Sequence, residues 1–188
     1  MNDRQWTGVV LVGGQSSRMG RDKALIEVDG VRMLDRAVEL LRPHAREVLV
    51  IGDPLKYANE HAVTLADETP GMGPLGGLVT ALKRARYVRL LVLACDLPHI
   101  NDRLLTKLKH ELIGEVDAVI PKHDAFVEPL AAAYHRHCVD TFERHVNTDR
   151  LKLSDALDAV NTRYLPIPLG NEGWPTDLFK NLNAPADL

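Results

Sequence analysis

The side chains best suited to phosphate chemistry occur first in a glycine-rich stretch near the start of the chain. This stretch, residues 11–23, follows an apolar run directly and contains Gly13, Gly14, Arg18 and Lys23. Glycine lacks a Cβ atom, so the backbone N–H groups of such a loop can approach a phosphate or a base closely. Cations beside those amides neutralise a polyphosphate. We therefore expect a nucleotide here; the alternative is a structural turn with two solvated cations.

Two well-known glycine loops do not fit this stretch. A Walker loop needs a lysine directly after its last glycine, but Gly20 and Lys23 are separated by two residues, and no hydroxyl residue follows Lys23. The dinucleotide fingerprint Gly-x-Gly-x-x-Gly is also missing. Ser16 and Ser17 lack the Gly-x-Ser-x-Gly elbow of a serine nucleophile. Their hydroxyl groups suit phosphate contacts better.

A second glycine-rich stretch, residues 66–77, carries Asp67 and precedes a predicted helix. In an open α/β sheet, ligands bind at the carboxyl ends of the strands, so both stretches should line one crevice. The alternative is a proline-glycine turn that only opens the helix.

Asp96 follows the most apolar part of the chain, residues 88–94. A carboxylate at the end of a buried strand is costly unless a positive group meets it. Mg²⁺ prefers hard oxygen ligands, commonly one or two carboxylates together with substrate phosphates. We therefore predict that Asp96 binds Mg²⁺; taken alone, an Asp-Leu-Pro sequence also suits a turn or a helix N-cap.

The elements that position these residues alternate between apolar runs and segments of helical period for about two thirds of the chain, which is typical of parallel strands joined by helices. In the second half we expect at least one antiparallel pairing, and so a mixed sheet. Strands are predicted at residues 8–12, 48–51, 61–65, 88–94, 116–120, 125–134 and 163–167, and helices at residues 33–41, 78–85, 101–112, 135–146 and 151–160.

Composition limits the classes of protein to consider. With 188 residues, 45% of them hydrophobic and 26% charged, the chain suits a single domain. A net charge of −3 and a pI near 6.2 argue against binding to nucleic acid or to a membrane surface. Residues 90–95, the longest apolar run, are too few to span a bilayer, and the N-terminus lacks a signal-peptide core. We expect a cytoplasmic protein.

Cysteine and histidine usage gives no metal signature. Cys95 and Cys138 have neither metal-ligand spacing nor the density of a disulfide scaffold, so we expect buried, reduced thiols. Of eight histidines, only His135 and His137 are closely spaced. In a predicted helix start, residues two apart point away from each other, which argues against a shared metal.

The first stretch resembles the signature Leu-x-Gly-Gly-x-Ser-x-Arg-Met-Gly-x-Asp-Lys of the molybdenum cofactor guanylyltransferases, and every specified position is filled. Later blocks resemble the same family in the right order: Asp-x-x-x-Pro-Gly-x-Gly-Pro-Leu-x-Gly from Asp67, Cys-Asp-x-Pro from Cys95 and Glu-Pro-Leu-x-Ala-x-Tyr from Glu128. The C-terminal block resembles Asn-x-Asn-Thr-Pro-x-Asp-Leu from Asn181, but Ala184 replaces the usual threonine.

The resemblance implies a Rossmann-like, three-layer α/β nucleotidyltransferase fold with a mostly parallel, partly mixed central sheet. The nucleotide-binding half would be about residues 1–100 and the acceptor-binding half about residues 101–188. The implied reaction joins GTP and molybdenum-loaded molybdopterin, with Mg²⁺ as cofactor, to give the guanine dinucleotide cofactor and pyrophosphate. Molybdenum cofactor delivery proteins are the implied partners.

The resemblance also assigns roles to residues. The resemblance places Glu128 on the acceptor side, but a structural role would explain this residue equally well. Asn181 and Asn183 face the same side of an extended segment and could bind one ligand, but a surface turn would also explain them. By resemblance, the backbone of Leu11, Val12, Gly13 and Gly14 contacts the base. Lys23 contacts the α-phosphate, Arg18 the pyrophosphate and Asp67 the nucleotide, and Asp96 binds Mg²⁺. The acceptor is assigned to Glu128, Asn181 and Asn183.

Three alternative functions remain open from the sequence. Related cytidylyltransferases usually carry Ala-Gly where this chain has Gly13 and Gly14, and they lack the second block, so guanine is favoured. The alternatives are transfer from CTP to the same acceptor, a sugar-phosphate nucleotidyltransferase, and a nucleotide-binding module without catalysis. Pyrophosphate release separates an enzyme from a binding module.

Overall fold

The protein forms one mixed β-sheet covered by helices on both faces. A computed structural model describes residues 5–13 and 22–182, and the element bounds below refer to these residues. The strands are β1 (Trp6–Leu11), β2 (Glu27–Val28), β3 (Val31–Arg32), β4 (Glu47–Ile51), β5 (Val63–Leu65), β6 (Arg89–Ala94), β7 (Ala118–His123), β8 (Phe126–Val127), β9 (Ala131–His135) and β10 (Thr162–Pro166). The α-helices are α1 (Met33–Leu41), α2 (Gly73–Arg84), α3 (Asp102–Glu111), α4 (Val139–Asn147) and α5 (Leu153–Leu157).

The strand order in the main sheet is β10-β7-β9-β6-β1-β4-β5, with β8 paired to β7; β2 and β3 form a separate hairpin. Strands β6, β1, β4 and β5 are parallel to one another, as are β7 and β10. Strand β9 is antiparallel to both β6 and β7. The predicted mostly parallel, partly mixed sheet is therefore confirmed.

Three layers result because successive side chains of each central strand point to opposite faces of the sheet. Val9 packs on the face covered by α2, α4 and α5, whereas Val10 packs on the face covered by α1 and α3. The same alternation holds for Val92 and Leu93 in β6. Burial on both faces explains why these strands are continuous apolar runs in the sequence.

The sheet brings the predicted site residues to one edge. Strands β1, β4 and β6 end there because they are parallel. Strand β7 also ends there because β6 and β7 both run opposite to β9. The loops after Leu11, Ile51, Ala94 and His123 therefore leave the sheet on the same side.

Two predicted helix boundaries were wrong. The helix expected from residue 135 begins at Val139, because β9 continues to His135 and a 3₁₀ turn, Arg136–Cys138, follows it. Helix α2 begins at Gly73, inside the predicted loop, and Pro74 lies in its first turn. Proline is tolerated there because an N–H in the first turn has no partner within the helix.

Candidate active site

An ion pair joins two predicted catalytic residues that are far apart in the sequence. The Lys23 Nζ atom lies 3.2 Å from Asp96 Oδ2, and the two side chains are 23% and 26% exposed. Asp22 positions Lys23 by capping the 3₁₀ turn Lys23–Leu25, since its Oδ1 accepts a 3.0 Å hydrogen bond from the Ala24 N–H. The strand-end carboxylate thus has the positive partner that its location requires.

Backbone hydrogen bonds hold the strand ends around this ion pair. The Cys95 N–H donates to the Leu11 carbonyl at 3.4 Å, and the Leu182 N–H donates to the Asp96 carbonyl at 3.0 Å. Val12 is buried, and its N–H donates to the Ile51 carbonyl at 3.2 Å. Leu11, Val12 and Asp96 therefore belong to one connected edge, and the C-terminal segment lies against it.

Gly13 begins the first glycine-rich loop in a conformation that favours glycine. Its φ is +107°, in the region that L side chains rarely adopt, and among the described residues apart from its chain neighbours no atom lies within 4 Å of the place where a Cβ would be. The backbone conformation therefore disfavours a side chain at residue 13. Gly14, Arg18 and Asn183, which were also predicted to bind substrates, lie outside the described residues.

A second network beside Lys23 was not predicted. Asp22 Oδ2 accepts a 2.5 Å hydrogen bond from the Tyr57 hydroxyl and forms an ion pair with Lys56. Burial raises the pKa of Asp22, but the hydrogen bonds from Lys56 and Tyr57 outweigh it and bring the pKa below its ordinary value. The motif contained Asp22, but no periodicity or spacing could have indicated Tyr57, which lies 35 residues away.

Asp67 performs a structural task through one of its two carboxylate oxygens. Its Oδ1 accepts hydrogen bonds from the Thr80 hydroxyl at 2.7 Å and from the Thr69 N–H at 3.0 Å, which ties the second loop to α2. Oδ2 lies on the side of Gly77, 4.0 Å from the place where a Cβ of that residue would be. The structural and nucleotide-binding interpretations of Asp67 are compatible.

Of the predicted acceptor residues, Glu128 has a defined partner. Its Oε1 lies 2.9 Å from His123 Nε2, and because a carboxylate only accepts, the imidazole is the donor. Asn181 is exposed and directly precedes Leu182, so it lies beside the Asp96 strand end. His123 was not predicted, because its contact with Glu128 depends on the hairpin between β7 and β8, whose geometry leaves no periodic signal in the sequence.

His135 and His137 do not point away from each other, so this prediction was wrong. Their rings lie 4.0 Å apart, and their ligand atoms and one of Asp117 all lie within 4.8 Å of one another. The cause is the strand end at His135, which replaces the predicted helix start. This group lies at the opposite sheet edge, where His135 pairs with Arg89 at the beginning of β6.

Both cysteines are free and buried, as predicted. Burial raises the pKa of the Cys95 thiol, and likewise that of Cys138, to about 12. Cys95 therefore stays protonated beside Asp96 and is a packing residue at neutral pH.

Comparison with known proteins identifies the architecture around this site. The sequence profile of the MobA-like NTP transferase domain matches residues 8–161. The chain belongs to the MobA-like NTP transferase family. It is therefore a nucleotidyltransferase, and the family resemblance inferred from the sequence blocks is confirmed.

Relatives of this NTP transferase cover nearly all of its length. A probable molybdenum cofactor guanylyltransferase of Pelotomaculum thermopropionicum is 33% identical over 98% of this chain and 90% of that protein. One from Bacillus subtilis is 32% identical over 96% and 91%. The crystal structure of molybdopterin-guanine dinucleotide biosynthesis protein A from Archaeoglobus fulgidus has a TM-score of 0.81 at 29% identity, covering 96% of this chain and 94% of that chain.

The fold is shared more widely than the family. The 2-C-methyl-D-erythritol 4-phosphate cytidylyltransferase of Thermus thermophilus has a TM-score of 0.69 at 16% identity over 95% of this chain and 93% of that chain, a likeness of fold alone. In the described ranges, the helices of this NTP transferase are too short or too polar to cross a membrane.

The site of this NTP transferase suits Mg²⁺ chemically. Asp96 supplies a hard carboxylate at a partly exposed strand end, and its Oδ2 forms the ion pair with Lys23. A single carboxylate is enough where substrate phosphates provide most of the remaining ligands. The donor set thus fits the Mg²⁺ binding predicted for Asp96.

Proposed function

We propose that this protein transfers GMP from GTP to the terminal phosphate of molybdenum-loaded molybdopterin, forming the guanine dinucleotide cofactor and pyrophosphate. The observation that carries the proposal is the Lys23–Asp96 ion pair, where the ends of β1 and β6 meet beside the glycine-rich loop. It occurs in a chain whose near full-length relatives are named probable molybdenum cofactor guanylyltransferases.

The proposed reaction is an in-line displacement. A phosphate oxygen of the acceptor forms a bond to the α-phosphorus of GTP, and the bond from that phosphorus to the oxygen bridging to the β-phosphate breaks. The bonding electrons leave with pyrophosphate. The attacking phosphate is already an anion, so the step needs no general base. Catalysis then consists of positioning two anions and neutralising their charge.

Each site residue has a task in this mechanism. Lys23 donates to the α-phosphate, and Asp96 holds the Lys23 ammonium in place and provides the ligand for Mg²⁺. Arg18 neutralises the departing pyrophosphate, and Asp67 uses its remaining oxygen to seat the nucleotide. When bound, Mg²⁺ neutralises phosphate charge. The backbone of residues 11–14 contacts the base.

Preference for guanine and the identity of the partners are part of the same proposal. The paired glycines Gly13 and Gly14 and the second glycine-rich block favour GTP over CTP as the donor. The proposal also includes molybdenum cofactor delivery proteins, which would supply the acceptor and take up the product in the cytoplasm.

The test is pyrophosphate release from GTP, CTP and ATP, with and without acceptor and with and without Mg²⁺. We expect release that requires GTP, acceptor and Mg²⁺ together. Lys23→Ala and Asp96→Asn should each lower turnover by about 10²–10³-fold, the usual effect of removing one preorganised charged contact. Lys83→Ala is the matched control, because Lys83 pairs with Glu68 and Glu143 on the surface of α2 and should leave turnover unchanged.

Three outcomes would contradict the proposal. Nucleotide binding without pyrophosphate release would favour a module without catalysis. Faster turnover with CTP would favour a cytidylyltransferase. Wild-type turnover of Lys23→Ala would remove the role given to the Lys23–Asp96 pair.

A further inference from the structure

Three side chains at the end of β7 form a cluster that the proposed mechanism does not use. The β7–β8 cluster consists of His123, Phe126 and Glu128. The imidazole of His123 donates to Glu128 Oε1, and the two side chains are only 14% and 22% exposed. Phe126 is 65% exposed, and its ring centroid lies 5.9 Å from that of His123. A fixed carboxylate and an exposed aromatic ring thus both lie next to the His123 imidazole.

The β7–β8 cluster lies at the same sheet edge as Asp96. Only β9 separates β7 from β6, so the two strand ends are about 10 Å apart at the usual strand spacing. The C-terminal segment connects them. The Phe179 ring stacks on His123 at 4.9 Å with an interplanar angle of 10°, and the Leu182 N–H donates to the Asp96 carbonyl.

Within the cluster, Glu128 is the residue that can accept further hydrogen bonds from a ligand. A carboxylate has about four lone-pair sites. His123 occupies one on Oε1, and within the part of the chain that the structure describes Oε2 accepts no hydrogen bond. Glu128 can therefore accept two parallel N–H bonds from a ligand. Phe126 offers the face on which a planar heterocycle stacks.

Two parts of the substrates carry adjacent ring N–H and amino donors. They are the guanine of GTP and the pterin of the acceptor, both of which contain a 2-amino-4-oxopyrimidine edge. Guanine belongs with the first glycine-rich loop at the end of β1, on the other side of β6 from the cluster. The pterin is linked to the attacking phosphate through the fused pyran ring and a methylene group. This separation suits a pterin site displaced from Asp96 along the sheet edge.

We propose that the β7–β8 cluster binds the pterin ring of the acceptor. Glu128 accepts from the 2-amino group and the ring N–H, and Phe126 stacks on the ring. His123 is a positioning residue that fixes the Glu128 carboxylate. The inference rests on the proposed function, because molybdopterin supplies the pterin.

The direct test uses two fluorescent probes, 6-hydroxymethylpterin monophosphate and the matching lumazine monophosphate, which has an oxo group in place of the 2-amino group. We expect the wild type to bind the pterin at least about tenfold more tightly, since the lumazine loses a hydrogen bond to a charged acceptor. Glu128→Gln should abolish the preference, and Phe126→Ala should weaken both probes. Val127→Ala, which truncates the neighbouring exposed side chain, is the matched control and should change neither affinity.

The positioning role of His123 has its own readout. His123→Ala should raise the KM for the acceptor about tenfold and reduce the pterin preference, with kcat and the KM for GTP unchanged. His123→Gln, which keeps an N–H donor, should recover most of the preference. A purely structural role would instead lower kcat or the thermal midpoint in both variants.

Two outcomes would overturn the inference: Glu128→Gln retaining the pterin preference, or the cluster variants raising the KM for GTP instead of that for the acceptor. The two proposals fail separately. GMP transfer without any pterin preference would contradict only the pterin site, whereas pterin preference without pyrophosphate release would contradict only the proposed reaction.

Discussion

At the scale of single residues, the site depends on carboxylates that each do more than one thing. Asp22 caps the turn that carries Lys23. It also accepts a hydrogen bond from the Tyr57 hydroxyl and forms an ion pair with Lys56. The Asp96 side chain forms an ion pair with Lys23, and the Asp96 carbonyl accepts a hydrogen bond from the Leu182 N–H of the C-terminal segment. The turn Lys23–Leu25 is therefore held in place before any ligand binds, which reduces the cost of ordering Lys23 on binding.

Asp22→Asn tests this anchoring through its dependence on pH. Because the folded-state pKa of Asp22 is lowered, its contribution to stability is complete above the ordinary value of 3.8 and is lost as pH falls through the folded value. At pH 7 we expect Asp22→Asn to lower the free energy of unfolding by roughly 1–3 kcal/mol, the usual cost of losing a hydrogen-bonded charge.

The difference between wild type and Asp22→Asn should shrink below pH 3.8, which urea denaturation at several pH values will measure. Asp140→Asn, at an exposed position of α4, is the control and should show little effect at any pH. A destabilisation by Asp22→Asn that is equally large at pH 2 and pH 7 would contradict the role of the Asp22 charge.

At the scale of elements, two adjacent glycines of α2 show different kinds of constraint. A Cβ at Gly76 would lie 2.6 Å from Thr69 Oγ1 and 3.0 Å from the Thr69 carbonyl. At Gly77, the nearest atom would be Leu11 Cδ2 at 3.4 Å, an ordinary contact. Only Gly76 lets the second glycine-rich loop lie directly against the helix.

We therefore expect opposite effects from alanine at these two positions. Gly76→Ala should destabilise the protein by about 1–2 kcal/mol, because overpacking of about 1–3 kcal/mol outweighs the gain in helix propensity. Gly77→Ala should stabilise it by about 0.5–1 kcal/mol through that gain alone. Chemical denaturation of the two variants measures both values, and equal effects would contradict the crowding at Gly76.

The elements also show how far the sequence could predict the structure. The central strands β1, β4 and β6 were predicted to within a residue or two, because burial on both faces leaves an unbroken apolar run. The strand predicted over residues 125–134 is two strands, β8 and β9, because β8 pairs back on β7 before the chain turns into β9 between β6 and β7.

The site was predictable to the extent that it lies in local motifs. The motifs predicted Lys23 in a loop after the first strand and Asp96 at the end of a buried strand, and the two glycine-rich loops were expected to line one crevice. His123 and Tyr57 were missed as functional residues because their partners depend on turns and loops whose geometry leaves no periodic signal.

At the scale of the whole molecule, both halves of the chain contribute to both faces of the sheet. Leu82 of α2 and Leu104 of α3 are fully buried in the two clusters on opposite faces. Each cluster contains residues from before and after residue 100, including Trp6 and Trp174 in one of them. The predicted nucleotide-binding and acceptor-binding halves therefore share a core, and we expect them to unfold together.

Leu82→Ala and Leu104→Ala test this cooperativity. Each should lower the free energy of unfolding by about 2–5 kcal/mol, the usual range for a buried leucine truncated to alanine. We expect single-tryptophan variants that retain Trp6 or Trp174 to unfold at the same denaturant concentration when followed by fluorescence. Far-ultraviolet circular dichroism should show the same transition. Separate transitions for the two tryptophans would contradict the single-domain prediction.

The reversed direction of β9 has a consequence for engineering. Because β7 and β9 run in opposite directions, the connection between them, residues 124–130, lies at the same sheet edge as Asp96 and includes the short strand β8, which pairs with β7. We expect that this connection can be replaced between two fixed strands without altering the loop after β1, to which we assign the donor nucleotide. On the proposed assignments, different loops contact the donor and the acceptor, so we expect grafting of residues 124–130 to change the choice of acceptor without changing the choice of nucleotide.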